Sequence, residues 1–190
     1  MRTRTSLDGW VVVVTGASSG NGKAIAPALA SKGARVVLAA RRVRLLEAVA
    51  REAEDLGAEA LVVPCDVTDP GQVHRVAEAA FERWGRIDGW VNCAGVIVWS
   101  LFEDTATEEF RRTLDVNLMG SVYGAQAALP VMRRQGSGVI VNIASIAGLV
   151  AFPTQTAYAA SKAALLTSGR RSGGSCGAAA CASARCCPRA

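Results

Sequence analysis

Tyr158 and Lys162 stand four positions apart, and Ser145 precedes the tyrosine by thirteen. Residues four apart on a helix share one face, so this spacing brings a phenol and an ammonium to the same point. A phenol, with an ordinary pKa near ~10, exchanges protons poorly at neutral pH, and a fixed ammonium close by favours the phenolate. The pair is therefore a candidate general acid/base. Taken alone it reads first as an ordinary pair on an amphipathic helix, and the rest of the chain has to decide between the two.

A second group of residues has the chemistry of a phosphate site. An apolar, β-branched run at 10–14 leads directly into a turn carrying Gly16, Ser18, Ser19, Gly20, Asn21 and Gly22, followed by a helical stretch from Lys23 to Lys32. The glycines permit a tight turn, and the helix start offers unpaired N–H groups and a positive dipole end to a pyrophosphate. Pro27 fits this helix badly, at a cost of about 3 kcal/mol or a kink, and nothing in the sequence offsets it. The next strand, 35–40, ends on Ala40 where an acid would hold a ribose 2′-hydroxyl. Arg41 and Arg42 follow, and two guanidiniums suit a 2′-phosphate, so NADP(H) is expected over NAD(H). A solvated helix start is the other reading of these arginines.

The elements that must position both groups alternate along the chain. Strands are expected at 10–14, 35–40, 60–63, 87–91 and 138–143, with helices between them, including one long helix from Thr107 to about Arg134. Asp69 caps a helix that has Pro70 at its first position. His74 lies on that helix and reads as a surface residue. Five strands alternating with helices imply right-handed βαβ units and a doubly wound parallel sheet, an α/β fold of Rossmann type. Ligands bind such sheets beyond the carboxyl ends of the strands, where the glycine turn, Asp66, Asn92 and Ser145 all fall.

The bulk properties narrow the function further. The 190 residues suffice for one well-cored domain, and 51% are hydrophobic, which excludes a disordered chain over most of the length. No apolar run is long enough for a membrane span or a signal core, so a cytoplasmic protein is expected. The net charge is +5, but four arginines at 170, 171, 185 and 189 fall in an acid-free tail; 21 − 4 leaves 17 basic against 16 acidic residues. That near-balance excludes a nucleic-acid partner. Cys65 and Cys93 read as buried thiols, and the tail cysteines lack the spacing of a metal site, so no metal is expected.

These residues resemble the short-chain dehydrogenase/reductase family over roughly 8–167. The match rests on Thr15-Gly-x-x-x-Gly-x-Gly22, Asp66-Val67, Asn92-x-Ala94-Gly95, Asn117, Ser145 and Tyr158-x-x-x-Lys162, all in order. The resemblance implies NAD(P)(H)-dependent interconversion of an alcohol and a carbonyl compound. Tyr158 would exchange the proton, Ser145 would hold the substrate oxygen, Lys162 would tune the tyrosine and bind the nicotinamide ribose, and Asn117 would help hold a relay water. Asp66 would bind the adenine, and Asn92 would support the central strand; Val67, Ala94 and Gly95 complete the expected cofactor contacts. Asn21 and Cys93 depart from the residues common at their positions. Val96, Trp99 and Phe102 follow the fourth strand where family members line a substrate pocket, although core packing is the expected role here. Family members pair as homo-oligomers through the long helix and the tyrosine helix.

The pattern stops near Ser168. The family continues with two more strands and a substrate lid, whereas 168–190 is low in complexity and is expected to lack regular structure. With each codon begun one base earlier, residues 181–190 can encode Val-Arg-Val-Ser-Ala-Val-Leu-Pro-Pro-Gly, similar to the family's sixth strand and its exit. A frameshift near codon 167 is the expectation, leaving a Rossmann-like domain at 1–167 with an open, aggregation-prone edge at its fifth strand. The alternative to a working reductase is then a nucleotide-binding or interaction protein whose catalysis is impaired.

Overall fold

The computed structural model describes residues 6–150, 152–170 and 181–185. Five parallel strands form the body of one sheet: β1 (Val11–Thr15), β2 (Arg35–Ala40), β3 (Ala60–Pro64), β4 (Gly89–Asn92) and β5 (Val139–Ile143). A sixth, β6 (Cys181–Arg185), completes the order β3-β2-β1-β4-β5-β6. The strand order reverses direction between β1 and β4, and the crevice of a doubly wound sheet opens at that switch point.

The expected βαβ alternation follows from side-chain placement in β1. Val11 and Val13 face a layer holding α3 (Pro70–Trp84) and α5 (Gly120–Gln135), where Val73, Val76, Ala128 and Met132 are buried. Val12 and Val14 face the opposite layer, α1 (Gly20–Ala30) and α2 (Val43–Glu54), against Ala26, Ala30, Leu46 and Val49. A strand buried on both faces reads as a continuous apolar run, and burying each such valine contributes about 1.5 kcal/mol or more. The same burial holds α1 helical through Pro27, since one apolar face outweighs one missing hydrogen bond. Asp69 caps α3 through Gly71 N (2.8 Å) and Gln72 N (3.2 Å).

At the sheet's lower edge Asp88 is 5% exposed and doubly bonded by Arg86, at 2.8 and 2.7 Å. It also accepts the Val11 amide at 2.9 Å, tying β1 to the start of β4.

The structure departs from the sequence reading in two places. The expected single helix from Thr107 is α4 (Thr107–Leu114), a π-helical turn at Asp115–Met119, and then α5. The tail expectation also needs correction: α6 runs Thr156–Arg170, and β6 pairs antiparallel with β5, Val139 opposite Arg185 and Ile143 opposite Cys181. The edge of β5 is therefore covered. An unpaired strand edge presents backbone donors and acceptors to any extended chain whatever its side chains, which a reading of side-chain patterns cannot anticipate. The rest of the tail expectation falls on 171–180 and 186–190, outside the described residues. No helix among the described residues is long and apolar enough to cross a membrane.

Candidate active site

Gly16 has φ +68°, and a Cβ there would fall 2.6 Å from Ala94 Cα, so the turn passes directly against the exit of β4. A Cβ on Gly22 would collide with the Gly16 carbonyl, which lets α1 start tight behind the turn. Thr15 fastens the same place from the other side: its hydroxyl donates to Val91 O (3.3 Å) and accepts from Cys93 N (3.1 Å) and Ala94 N (3.3 Å). Together these contacts set the floor of a cleft of about 430 Å³.

The cleft is lined by Gly16, Ser18, Ser19, Gly20, Asn21, Gly22, Arg41, Arg42, Asp66, Val67, Ala94, Gly95, Tyr158 and Lys162. Every expected cofactor residue except Asn92 is thus on one surface. Arg42 forks over the glycine turn, donating to Ser18 Oγ at 3.0 Å and to Ser19 Oγ at 2.7 Å. Arg41 reaches the Asp66 carboxylate at 3.7 Å. Burial would raise the Asp66 carboxyl, but hydrogen bonds from the Thr68 amide (3.1 Å) and hydroxyl (2.9 Å), with Arg41 and Arg112 nearby, bring it below its ordinary value.

At the other end, Lys162 is 5% exposed and donates from Nζ to Ile143 O at 2.7 Å. Its Nζ lies 5.6 Å from the centre of the Tyr158 ring, so the helical spacing does bring ammonium and phenol together. Burial pulls the Lys162 ammonium down from its ordinary value, partly opposed by Cys93. Both cysteines line the cleft: Cys93 is half-buried and packs against the core as well, while Cys65 is buried and its thiol is pushed up to about 11 by burial and by Asp66 and Asp69.

Asn92, Asn117 and Ser145 lie off the cleft lining. Asn92 accepts from Trp90 Nε1 (2.8 Å) and donates to Asn142 Oδ1 (2.8 Å) and Ser121 O (3.1 Å), a buried polar knot beneath the β4 exit. Asn117 sits in the π-helical turn, fully buried. Its amide accepts from Val96 N (2.8 Å) and donates to Val96 O (2.9 Å) and Ser161 Oγ (3.0 Å). Both amide protons are therefore engaged by protein. Ser161 in turn donates to Tyr158 O, at 2.6 Å. Ser145, at the end of β5, caps a short 3₁₀ turn (Ile146–Gly148) by accepting from Ala147 N at 3.2 Å. Among the described residues Ser145 donates to no protein group, which leaves its proton free.

The sequence reading assigns no role to Ser161 or to the Thr15 hydroxyl, and it does not anticipate Trp90 and Asn142 as partners of Asn92. The signals were modest: a hydroxyl inside the Tyr-x-x-x-Lys segment, and asparagines at matching positions of adjacent strands, Asn92 opposite Asn142. Core packing holds for Val96, which lies against the core, but not for Trp99 and Phe102, which are 66% and 68% exposed. Among the described residues no group of three His, Cys, Asp or Glu side chains is placed to hold a metal.

The short chain dehydrogenase family model matches residues 10–170. An uncharacterized oxidoreductase of Staphylococcus saprophyticus is 41% identical over 164 residues, covering 85% of this chain and 65% of that protein. Among solved structures, a short-chain type dehydrogenase/reductase from Mycobacterium marinum matches with a TM-score of 0.85 at 37% identity, over 87% of this chain and 68% of that one. An NAD+-bound xylitol dehydrogenase matches with a TM-score of 0.85 at 30% identity, over 88% and 65%. The chain spans about two thirds of the length of these relatives.

Proposed function

The chain belongs to the short-chain dehydrogenase family, and from that premise we propose that it is an NADP(H)-dependent oxidoreductase interconverting an alcohol and a carbonyl compound. The observation that carries this reading is the single cleft that joins the glycine turn, Arg41 and Arg42 to Tyr158 and Lys162. Its donor set fits a nicotinamide dinucleotide: backbone N–H groups of the glycine turn for the pyrophosphate, Asp66 for the adenine, and Lys162 for the nicotinamide ribose. When bound, the dinucleotide supplies or accepts the hydride.

The chain's own residues supply orientation and the proton. Tyr158 gives a proton to the substrate oxygen in reduction and takes one in oxidation. Ser145 donates its free hydroxyl proton to that oxygen and fixes its place. Lys162, held by the Ile143 carbonyl, keeps a positive charge beneath the phenol ring. Asn117 is a positioning residue, because both protons of its amide are taken up by Val96 and Ser161; a relay water at this residue would donate to one of its oxygens. The NADP(H) preference is supported by Ala40 at the end of β2 and by the two cations after it, of which Arg42 is already held by Ser18 and Ser19.

The test is paired titration with NADPH and NADH, followed by turnover against a panel of ketones. Tighter binding of NADPH by tenfold or more, with NADPH consumed in step with alcohol formed, is expected. Equal affinities would remove the cofactor preference, and binding without turnover of any carbonyl would overturn the oxidoreductase reading.

A further inference from the structure

We infer that the substrate is an uncharged, largely apolar alcohol or ketone, held against a two-sided wall made by residues 97–102 and by residues 146–150 with Phe152. The inference rests on the reading of Tyr158 as the proton-transfer group.

Large apolar side chains exposed to solvent are not scattered evenly over this chain. Ile97, Trp99, Leu101 and Phe102 are 39%, 66%, 50% and 68% exposed on one segment, and Ile146, Leu149, Val150 and Phe152 are 58%, 63%, 51% and 41% exposed on the other. An apolar cluster of that size marks a site where something apolar is covered. The two segments are joined, since Ser100 N donates to Thr154 O at 3.0 Å. Thr154 itself is held at φ +67°, a conformation rare for a β-branched residue and one that gathers at ligand-binding loops.

Placement ties the wall to the chemistry. Ile146 follows Ser145 directly, Phe152 and Thr154 lead into α6 and Tyr158, and Ile97 lines the same cleft as Tyr158 and Lys162. A molecule whose oxygen lies between Ser145 and Tyr158 therefore meets Ile97 in the cleft and approaches the segments that adjoin its two anchoring residues along the chain.

Charge decides the class. Residues 96–102 and 144–157 contain no Asp, Glu, Lys, Arg or His. A carboxylate or phosphate taken out of water there would lack a counter-ion, because Lys162 is buried and held by Ile143 O. The next charges along the chain are Glu103 and Asp104, which repel an anion, and an ammonium inside the wall would lose its hydration with no carboxylate among residues 96–102 and 144–157 to replace it. A neutral ring or chain meets no such penalty and gains from every apolar surface it covers.

The experiment uses the full chain and three versions of one bicyclic aryl ketone: neutral 2-acetylnaphthalene, its 6-carboxylate and its 6-trimethylammonium derivative. Binding is measured by equilibrium dialysis, with and without NADP+, a combination that does not turn over. The neutral ketone is expected to bind at least tenfold tighter than the carboxylate and the ammonium. Trp99→Ser and Leu149→Ser, at exposed positions, should each weaken it at least fivefold with NADPH affinity and sedimentation unchanged. A carboxylate or ammonium form that binds as well as the neutral one overturns the inference. So does ketone binding untouched by either variant; if sedimentation then changes, the wall is an interface between copies. Neutral preference retained without any turnover would uphold the wall and count against the oxidoreductase reading alone.

Discussion

The two ends of the cleft are finished to different degrees. Around the glycine turn, every residue of β1 is buried, Arg42 has both serine hydroxyls and Asp66 has both donors of Thr68. Around Tyr158, β5 buries only Ile140, and the segments that approach the tyrosine leave bulky apolar side chains in water. Both ends hang from one sheet edge, so the sheet does not account for the contrast. Ordering the glycine turn and enclosing a substrate are separable demands: local contacts within 10–95 meet the first, whereas the second needs surface that these segments do not supply to one another.

Changes at one end should leave the other intact, and the largest such effect is expected at the tyrosine. Tyr158→Phe should lower kcat by roughly a hundred- to ten-thousand-fold while NADPH affinity, read by fluorescence titration, changes less than twofold. Comparable losses in both would mean the ends are not separable. Asp88→Ala addresses the sheet that both share. It leaves the Val11 amide unpaired at a buried position and should cost about 2–3 kcal/mol in urea unfolding, lowering stability without altering the ratio of NADPH to NADH affinity.

Arg42→Ala bears on the nucleotide end alone. Loss of a charged hydrogen-bonding group should weaken NADPH by about tenfold, near 1.5 kcal/mol, and leave NADH unchanged. Ser161→Ala and Asn117→Ala, singly and together, probe whether the tyrosine end is held from behind. A coupling of about 1 kcal/mol in kcat is expected from the double-mutant cycle, and additive losses would show that the Asn117–Ser161 bond does not position Tyr158.

The smallest effect distinguishes the ends by pH. Asp66 has a carboxyl below its ordinary value of 3.8, so the folded state binds fewer protons than the unfolded. Its stabilisation is complete above that value and is lost as pH falls through the lower folded value. Lys162 is also lowered, but as a cation, so the folded state resists its charging and stability rises with pH on approach to the ordinary 10.5. Urea midpoints of Asp66→Asn should show a reduced acid loss, and those of Lys162→Met a reduced alkaline gain.

The sheet and the nucleotide end were legible because their signals are local. A valine run into glycines, an alanine before two arginines and a Tyr–Lys pair at helical spacing each state their geometry within a few residues. The exposure of Trp99 and Phe102 was not legible, since an apolar residue in a loop looks the same whether its partner is the core or a ligand. The π-helical turn was hidden for another reason: Asp115–Met119 has no unusual propensity, and what holds it open is an amide reaching Val96 and Ser161 across the fold.

That turn has a consequence for length rather than for composition. An i→i+5 turn accommodates one residue more than the α-helix on either side of it. Deleting a single residue from 115–119 would let α4 and α5 merge into one regular helix, with Gly120 still against Val67 and Gly124 still against Trp90. The sheet should keep its arrangement after such a deletion, but Asn117 would swing by about 100° away from Val96 and Ser161, at a cost of about 1–3 kcal/mol for each buried polar group left unpaired. A one-residue deletion scan would therefore find here a gap that the sheet tolerates and the tyrosine does not.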